Sequence, residues 1–210
     1  MKTHPRYELV TIAASAGGIQ ALWRILSSLP VDFPIPIAIV QHRTAQSPDR
    51  LAYVLGRKSS LPVARAIEGE PLRAGRVYLA PANFHLLIQP DKCLAFRDGQ
   101  RIHHVRSSAD PLMASAAASL GSRVIAVVLT GGDSDGSEGV KAVKAAGGTV
   151  IAQDEASSQC FGMPGAAIRT GAVDHILPLD EIGPLLVKLS GWTAAVPITV
   201  SRVEVSGGGL

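Results

Sequence analysis

Cysteine is nearly absent from this chain. Cys93 and Cys160 are the only two among 210 residues, and neither has a second cysteine at metal-ligand spacing. A disulfide framework and a thiolate metal site are thereby excluded as organising principles, and a reducing compartment is the simpler setting. Aromatic residues are also scarce at 4%, so the 47% hydrophobic content is carried by Ala, Val, Ile and Leu, which favours an α/β core over an aromatic binding module. Long hydrophobic runs are missing: the longest, Val124 to Leu129, is far below the roughly 20 residues a bilayer span needs. Met1 to Arg6 is polar, so nothing reads as a secretory signal. A soluble, cytoplasmic protein with no direct membrane insertion is expected. Charge of one sign is lacking too. Twenty basic residues stand against seventeen acidic, a net +3 without the dense Lys/Arg stripe that nucleic-acid binding requires.

What is present reads as one folded domain. The hydrophobic fraction excludes wholesale disorder, and the length is enough to bury a core. Residues 1–192 are expected to form the domain, and residues 193–210, which end Ser206-Gly-Gly-Gly-Leu210, a flexible C-terminal tail. Short aliphatic runs alternate with amphipathic stretches, the pattern of a doubly wound, mostly parallel sheet flanked by helices. Strands are expected at Leu9–Ala13, Ile35–Val40, Val124–Leu129, Thr149–Ala152 and Ile176–Leu177. The Val124–Leu129 run has no polar alternation, as befits a central strand buried on both faces. Helices follow at Leu22–Leu29, Leu51–Leu55 behind a Ser47-Pro48 cap, Asp110–Leu120, Ser137–Ala146, Pro164–Thr170 and Leu179–Leu189. The middle section, with Val63–Ile67, Val77–Ala80, His85–Gln89 and Cys93–Phe96 split by turn residues, reads as a small, largely antiparallel hairpin insertion.

Three polar residues occupy the turn just after a buried strand: Ser15, His42 and Asp135. Ligands bind at the carboxyl ends of strands in open α/β sheets, so neighbouring strands would bring these three together. They are the parts of a nucleophile, its general base and the group that orients the base. Gly17 and Gly18 permit a tight turn into a helix whose free N–H groups point back at Ser15, and Gly131 and Gly132 permit a backbone approach that serves an oxyanion. Each residue also has a plainer role. Ser15 can cap a helix, His42 can bond a backbone carbonyl, and Asp135 can cap the helix at Ser137. His85 divides evenly between a site wall and a structural histidine. The chain lacks Gly-x-Gly-x-x-Gly and Gly-x-Ser-x-Gly, and Asp133-Ser134-Asp135-Gly136 fails calcium-loop spacing, so no cofactor or metal is expected. His103-His104, beside Arg101 and Arg106, reads as a solvated turn.

The segments Ile12-Ala-Ala-Ser15-Ala16-Gly17-Gly18, Val40-Gln41-His42, Tyr78-Leu-Ala-Pro81 with His85, Ser108-Ala-Asp-Pro-Leu112, Leu129-Thr130-Gly131-Gly132-Asp133-Ser134-Asp135-Gly136, Ala146-Gly-Gly-Thr149, Gln153-Asp154 and Phe161-Gly-Met-Pro164 with Gly171-Ala-Val-Asp174 stand in order along residues 7–190. In that order they resemble the catalytic domain of the CheB chemotaxis protein-glutamate methylesterases. The resemblance implies Ser15 as nucleophile, His42 as base and Asp135 as orienting acid. It also implies hydrolysis of γ-glutamyl methyl esters, with deamidation of glutamines in some members, on a methylated chemoreceptor-like helical protein. Only Met1–Arg6 precedes the first strand, so no phospho-receiver domain is expected. Ala16 stands where the family usually has threonine, Gly132 where it has methionine, and Asp133 where it has glycine. Those departures motivate a second reading, a catalytically weak or inactive regulatory module. A hydrolase for another small ester is the third.

Overall fold

The computed structural model describes residues 6–43, 50–98 and 107–193. The Ser47-Pro48 cap, the His103-His104 turn and residues 194–210 lie outside the described residues. Nine strands and six α-helices are described: β1 (Leu9–Ala14), α1 (Gly18–Ser28), β2 (Ile37–Gln41), α2 (Leu51–Gly56), β3 (Val63–Arg65), β4 (Val77–Leu79), β5 (His85–Ile88), β6 (Leu94–Arg97), α3 (Ala109–Leu120), β7 (Val124–Val128), α4 (Ser137–Ala145), β8 (Thr149–Gln153), α5 (Gly162–Arg169), β9 (His175–Leu177) and α6 (Leu179–Leu189).

Seven strands form one sheet in the order β3-β4-β2-β1-β7-β8-β9, and every pairing in it is parallel. β1, β2 and β7 are buried along their whole length, which explains their unbroken aliphatic runs. Alternate residues of β1 feed two cores. Leu9 and Ala13 join α3, α4 and α5 on one face, and Val10, Ile12 and Ala14 join α1, α2 and α6 on the other.

The middle section meets the hairpin expectation in part. Among the described strands β5 and β6 form the antiparallel hairpin, whereas β3 and β4 extend the parallel sheet. Val77-Tyr78-Leu79 is buried throughout, so it needed cover on both faces, which a two-stranded insertion does not supply. The residue 66–76 connection between β3 and β4 carries the crossover.

The register places the site. Ala14 pairs with Gln41 and Ala13 with Val128, so the chain leaves β1, β2 and β7 at one level. β1 is also where the strand order reverses, with β2 on one side and β7 on the other. A crevice opens at such a switch point.

Candidate functional site

Ser15 follows β1, and its turn is tied down from both sides. Its N–H donates to the Thr130 carbonyl at 3.0 Å, and its carbonyl accepts from Gln41 Nε2 at 2.8 Å. The same Gln41 amide donates to the His42 carbonyl at 3.1 Å, stitching the ends of β1 and β2 together. Thr130 Oγ1 donates to the Ala16 carbonyl at 2.9 Å. Ser15 does not cap α1, because the cap position is Gly17, in the left-handed region at φ 78°, with no side-chain cap bond. A side chain at Gly17 would also run into Gln159. No hydrogen bond engages Ser15 Oγ among the described residues. Ser15 lines an open cleft of about 280 Å³ together with Gly18, Ile19, Gln41 and Gln159.

His42 and Asp135 are joined directly. His42 Nε2 donates to Asp135 Oδ2 at 2.7 Å, with the two side chains 6% and 0% exposed. Asp135 does not cap α4, whose cap position is Gly136. It binds the start of α3 instead: Ser108 Oγ donates to Oδ1 at 2.5 Å, and the Ala109 N–H donates to Oδ2 at 2.7 Å. A carboxylate at a helix N-terminus meets free N–H groups and the positive end of the helix dipole. Burial works to raise the Asp135 pKa, but the hydrogen bonds from His42, Ser108 and Ala109, with the His42 charge, outweigh it and hold the group below the usual carboxylate value.

The opposite ring nitrogen of His42 faces a second carboxylate. Nδ1 lies 3.2 Å from Asp133 Oδ2, an ion-pair contact without the alignment of a hydrogen bond. Burial works to lower the His42 pKa, yet the side-chain contacts to Asp133 and Asp135 and their charges outweigh it, raising the pKa from 6.5 to about 9. This group therefore stabilises the fold fully below about pH 6.5 and loses that contribution as pH rises through about 9. Thermal melts are expected to show a lower Tm at about pH 10 than at about pH 7, with the drop flattened in Asp133→Asn.

The remaining sequence candidates fall in different places. Gly131 lies against the nucleophile turn: a Cβ there would sit 2.9 Å from Ser15 Cβ and 2.1 Å from Met163 Sδ. Its N–H donates to the Cys160 carbonyl, so it is committed to structure. Gly132 has nothing within 4 Å of its Cβ position, and its N–H, like those of Ala16 and Gly17, has no acceptor among the described residues. Gly131→Ala is expected to destabilise by about 1–3 kcal/mol through overpacking, whereas Gly132→Ala should stay within about 0.5 kcal/mol in denaturant melts. His85 is 1% exposed and sits behind the site, its Nδ1 accepting the Ser108 N–H at 3.3 Å. Ser108, Gln41 and Thr130 support the site and were not among the candidate site residues. Their signals were present: a Ser-x-Asp-Pro helix start, a polar residue ending β2 and another two residues past β7.

A parallel α/β sheet whose switch point carries a serine, and beside it a histidine paired with a buried aspartate, defines a class: the α/β proteins that hold the parts of a nucleophilic hydrolase. Within that class the chain belongs to the CheB methylesterase family, whose sequence profile matches residues 10–186. The chain is 46% identical over 185 residues to protein-glutamate methylesterase/protein-glutamine glutaminase 2 of Anaeromyxobacter dehalogenans, a match covering 88% of this chain and 54% of that protein. It is 40% identical over 183 residues to a putative protein-glutamate methylesterase/protein-glutamine glutaminase of Leptospira interrogans, covering 87% of this chain and 95% of that one. The crystal structure of the Thermotoga maritima CheB methylesterase catalytic domain matches with a TM-score of 0.84 at 39% identity, over 87% of this chain and 98% of that one. The chain thus spans about half the length of the Anaeromyxobacter relative and nearly all of the Leptospira one. No helix among the described residues is long and apolar enough to cross a membrane.

Proposed function

We propose that this chain hydrolyses glutamate γ-methyl esters, and deamidates the corresponding glutamines, on a chemoreceptor-like helical protein in the cytoplasm. The observation that carries this is the His42–Asp135 pair, anchored by the α3 N-terminus and level with Ser15 on the adjoining strand end. In the proposed reaction, Asp135 keeps the Nε2–H of His42, so Nδ1 is the nitrogen that accepts the Ser15 proton. Ser15 Oγ attacks the ester carbonyl, and the unpartnered N–H groups of Gly132, Ala16 and Gly17 are the donors available to the oxyanion. His42 returns the proton to the departing methoxide, releasing methanol. A water molecule, deprotonated in turn by His42, then frees the carboxylate and Ser15. Glutamine would enter by the same route and release ammonia. The Ser15–His42 hydrogen bond would form with substrate, as such bonds often tighten only in the complex. Residues 1–192 are proposed as the unit that does this.

The test is methanol release from methyl-esterified receptor helices, with a fluorophosphonate probe mapped by mass spectrometry. Label on Ser15 together with methanol supports the proposal, and label elsewhere or none at all refutes it. A second reading, a CheB-like module that binds a signalling partner without turnover, is favoured by one observation: Asp133 stands on the nitrogen that Ser15 needs. Absent methanol and absent label, with receptor binding intact, would decide for it.

A further inference from the structure

Asp133 uses its two oxygens differently. Oδ1 accepts the N–H of Asp135 at 2.9 Å, a turn that pins the side chain to the loop between β7 and α4. Oδ2 is thereby aimed at His42 Nδ1, 3.2 Å away. Because Nε2 is held by Asp135, Nδ1 is the one ring nitrogen open to Ser15, and a carboxylate covers it.

We propose that Asp133 is a latch on the general base: it holds His42 doubly protonated, and Ser15 is armed only when Nδ1 loses its proton to solvent and exchanges Asp133 for the serine hydroxyl. This rests on the hydrolase reading of Ser15, His42 and Asp135. In the arming step the Nδ1–H bond breaks, its electron pair stays on nitrogen, and water or buffer takes the proton. Asp133 keeps its negative charge. Facing a lone pair instead of a cation, its carboxylate is then repelled, and at 33% exposure it has solvent to turn into. Substrate can then bring the Ser15 hydroxyl onto Nδ1.

Of the two carboxylates against His42, Asp133 is the more exposed, at 33% against 0% for Asp135. Asp135 is locked by Ser108 and Ala109. Asp110, in the first turn of α3, accepts the Gly139 N–H. Arg43, next along the chain, donates to the Ala80 carbonyl, and His85 lies behind Ser108.

The test uses Asp133→Asn, whose amide oxygen still accepts the Asp135 N–H while its NH2 replaces the second oxygen. An amide donor bonds only to a neutral Nδ1, so the variant reverses the preference that the carboxylate imposes. Nitrogen-15 NMR of the His42 ring follows the latch without needing catalysis. The midpoint is expected near 9 in the parent chain and lower by about one pH unit or more in the variant. The rate of fluorophosphonate labelling at Ser15 follows arming. At pH 7 only about one His42 in a hundred is neutral in the parent, so labelling should keep rising toward pH 9. In the variant the acid limb should move down in step with the NMR midpoint, and labelling at pH 7 should rise about tenfold. Asp133→Gly, which removes the side chain, serves as the second variant and should label at least as fast as Asp133→Asn. An unchanged midpoint with labelling intact overturns the latch alone. A shifted midpoint with an unmoved labelling profile overturns the arming role. No labelling of any protein at any pH overturns the hydrolase reading and the arming role with it.

Discussion

Ser15→Ala is expected to reduce methyl-ester hydrolysis about 10⁴-fold or more in kcat while leaving the fold in place. The two halves of that expectation have separate physical grounds. The turn is held through backbone groups, with the Ser15 N–H on the Thr130 carbonyl and the Ser15 carbonyl under the Gln41 amide, and alanine retains both. Ser15 Oγ has no hydrogen-bond partner among the described residues, so its removal strands nothing. Tm should therefore stay within a few degrees of the parent, and methanol release measured under saturating substrate should fall to the level that binding and backbone donors alone sustain. A stable Ser15→Ala protein with undiminished turnover would sink the serine mechanism outright.

Asp135→Ala should be the most damaging single change to the chain, because it strikes stability and chemistry together. The carboxylate is fully buried and holds His42 Nε2, Ser108 Oγ and the Ala109 N–H. Deleting it leaves those donors unpaired in a dry site, at a cost of about 3–5 kcal/mol. Denaturant melts should show that loss as a lower midpoint. Asp135→Asn separates the two effects. It preserves volume and, with its amide oxygen at the Oδ2 position, still accepts from Nε2 and the Ala109 N–H, while its NH2 at the Oδ1 position faces Ser108 Oγ. What it removes is the negative charge that stabilises the protonated His42 ring formed when Ser15 gives up its proton. A loss of roughly 10²-fold or more in kcat is therefore expected, with less loss of stability than in Asp135→Ala. If Asp135→Asn retained most of its turnover, the Asp135 charge would not be needed for the proton transfer.

The depth of legibility varied along the chain for physical reasons. Val124–Val128 carries its own assignment, since five consecutive buried aliphatics satisfy only a strand covered on both faces. From it and Leu9–Ala14 the parallel sheet follows, and with the sheet the shared level of Ser15, His42 and Asp135. Val63–Ile67 and Val77–Ala80 read as hairpin strands in the sequence, and the strands they hold, Val63–Arg65 and Val77–Leu79, pair in parallel because three residues carry no direction of their own. Parallel and antiparallel pairing of such fragments differ only in the tertiary crossover that joins them. Ser108 was legible as a helix start, and Ser108 is indeed the cap of α3. That the same hydroxyl also holds Asp135 is a contact across 27 positions that local pattern does not encode. Asp133 stood out in sequence as an added charge beside the oxyanion loop. Its pairing with His42 depends on the turn that binds Oδ1 to the Asp135 N–H, a feature of side-chain geometry.

The strand order carries a consequence for how the protein is made. Ser15 and His42 follow strands that are made before the rest of the sheet's centre, but the carboxylate that orients the histidine waits for β7, which is inserted beside β1 only after the hairpin and α3 have been synthesised. The helix start that locks Asp135 comes from that same late stretch. A nascent chain thus displays a serine and a histidine with nothing to couple them until β7 and the loop after it exist. Hydrolytic competence becomes a late event, tied to closing the middle of the sheet rather than to the appearance of the nucleophile. Onset of probe labelling during refolding would serve as a clock for that closure, read at Ser15 and set by residues more than a hundred positions away.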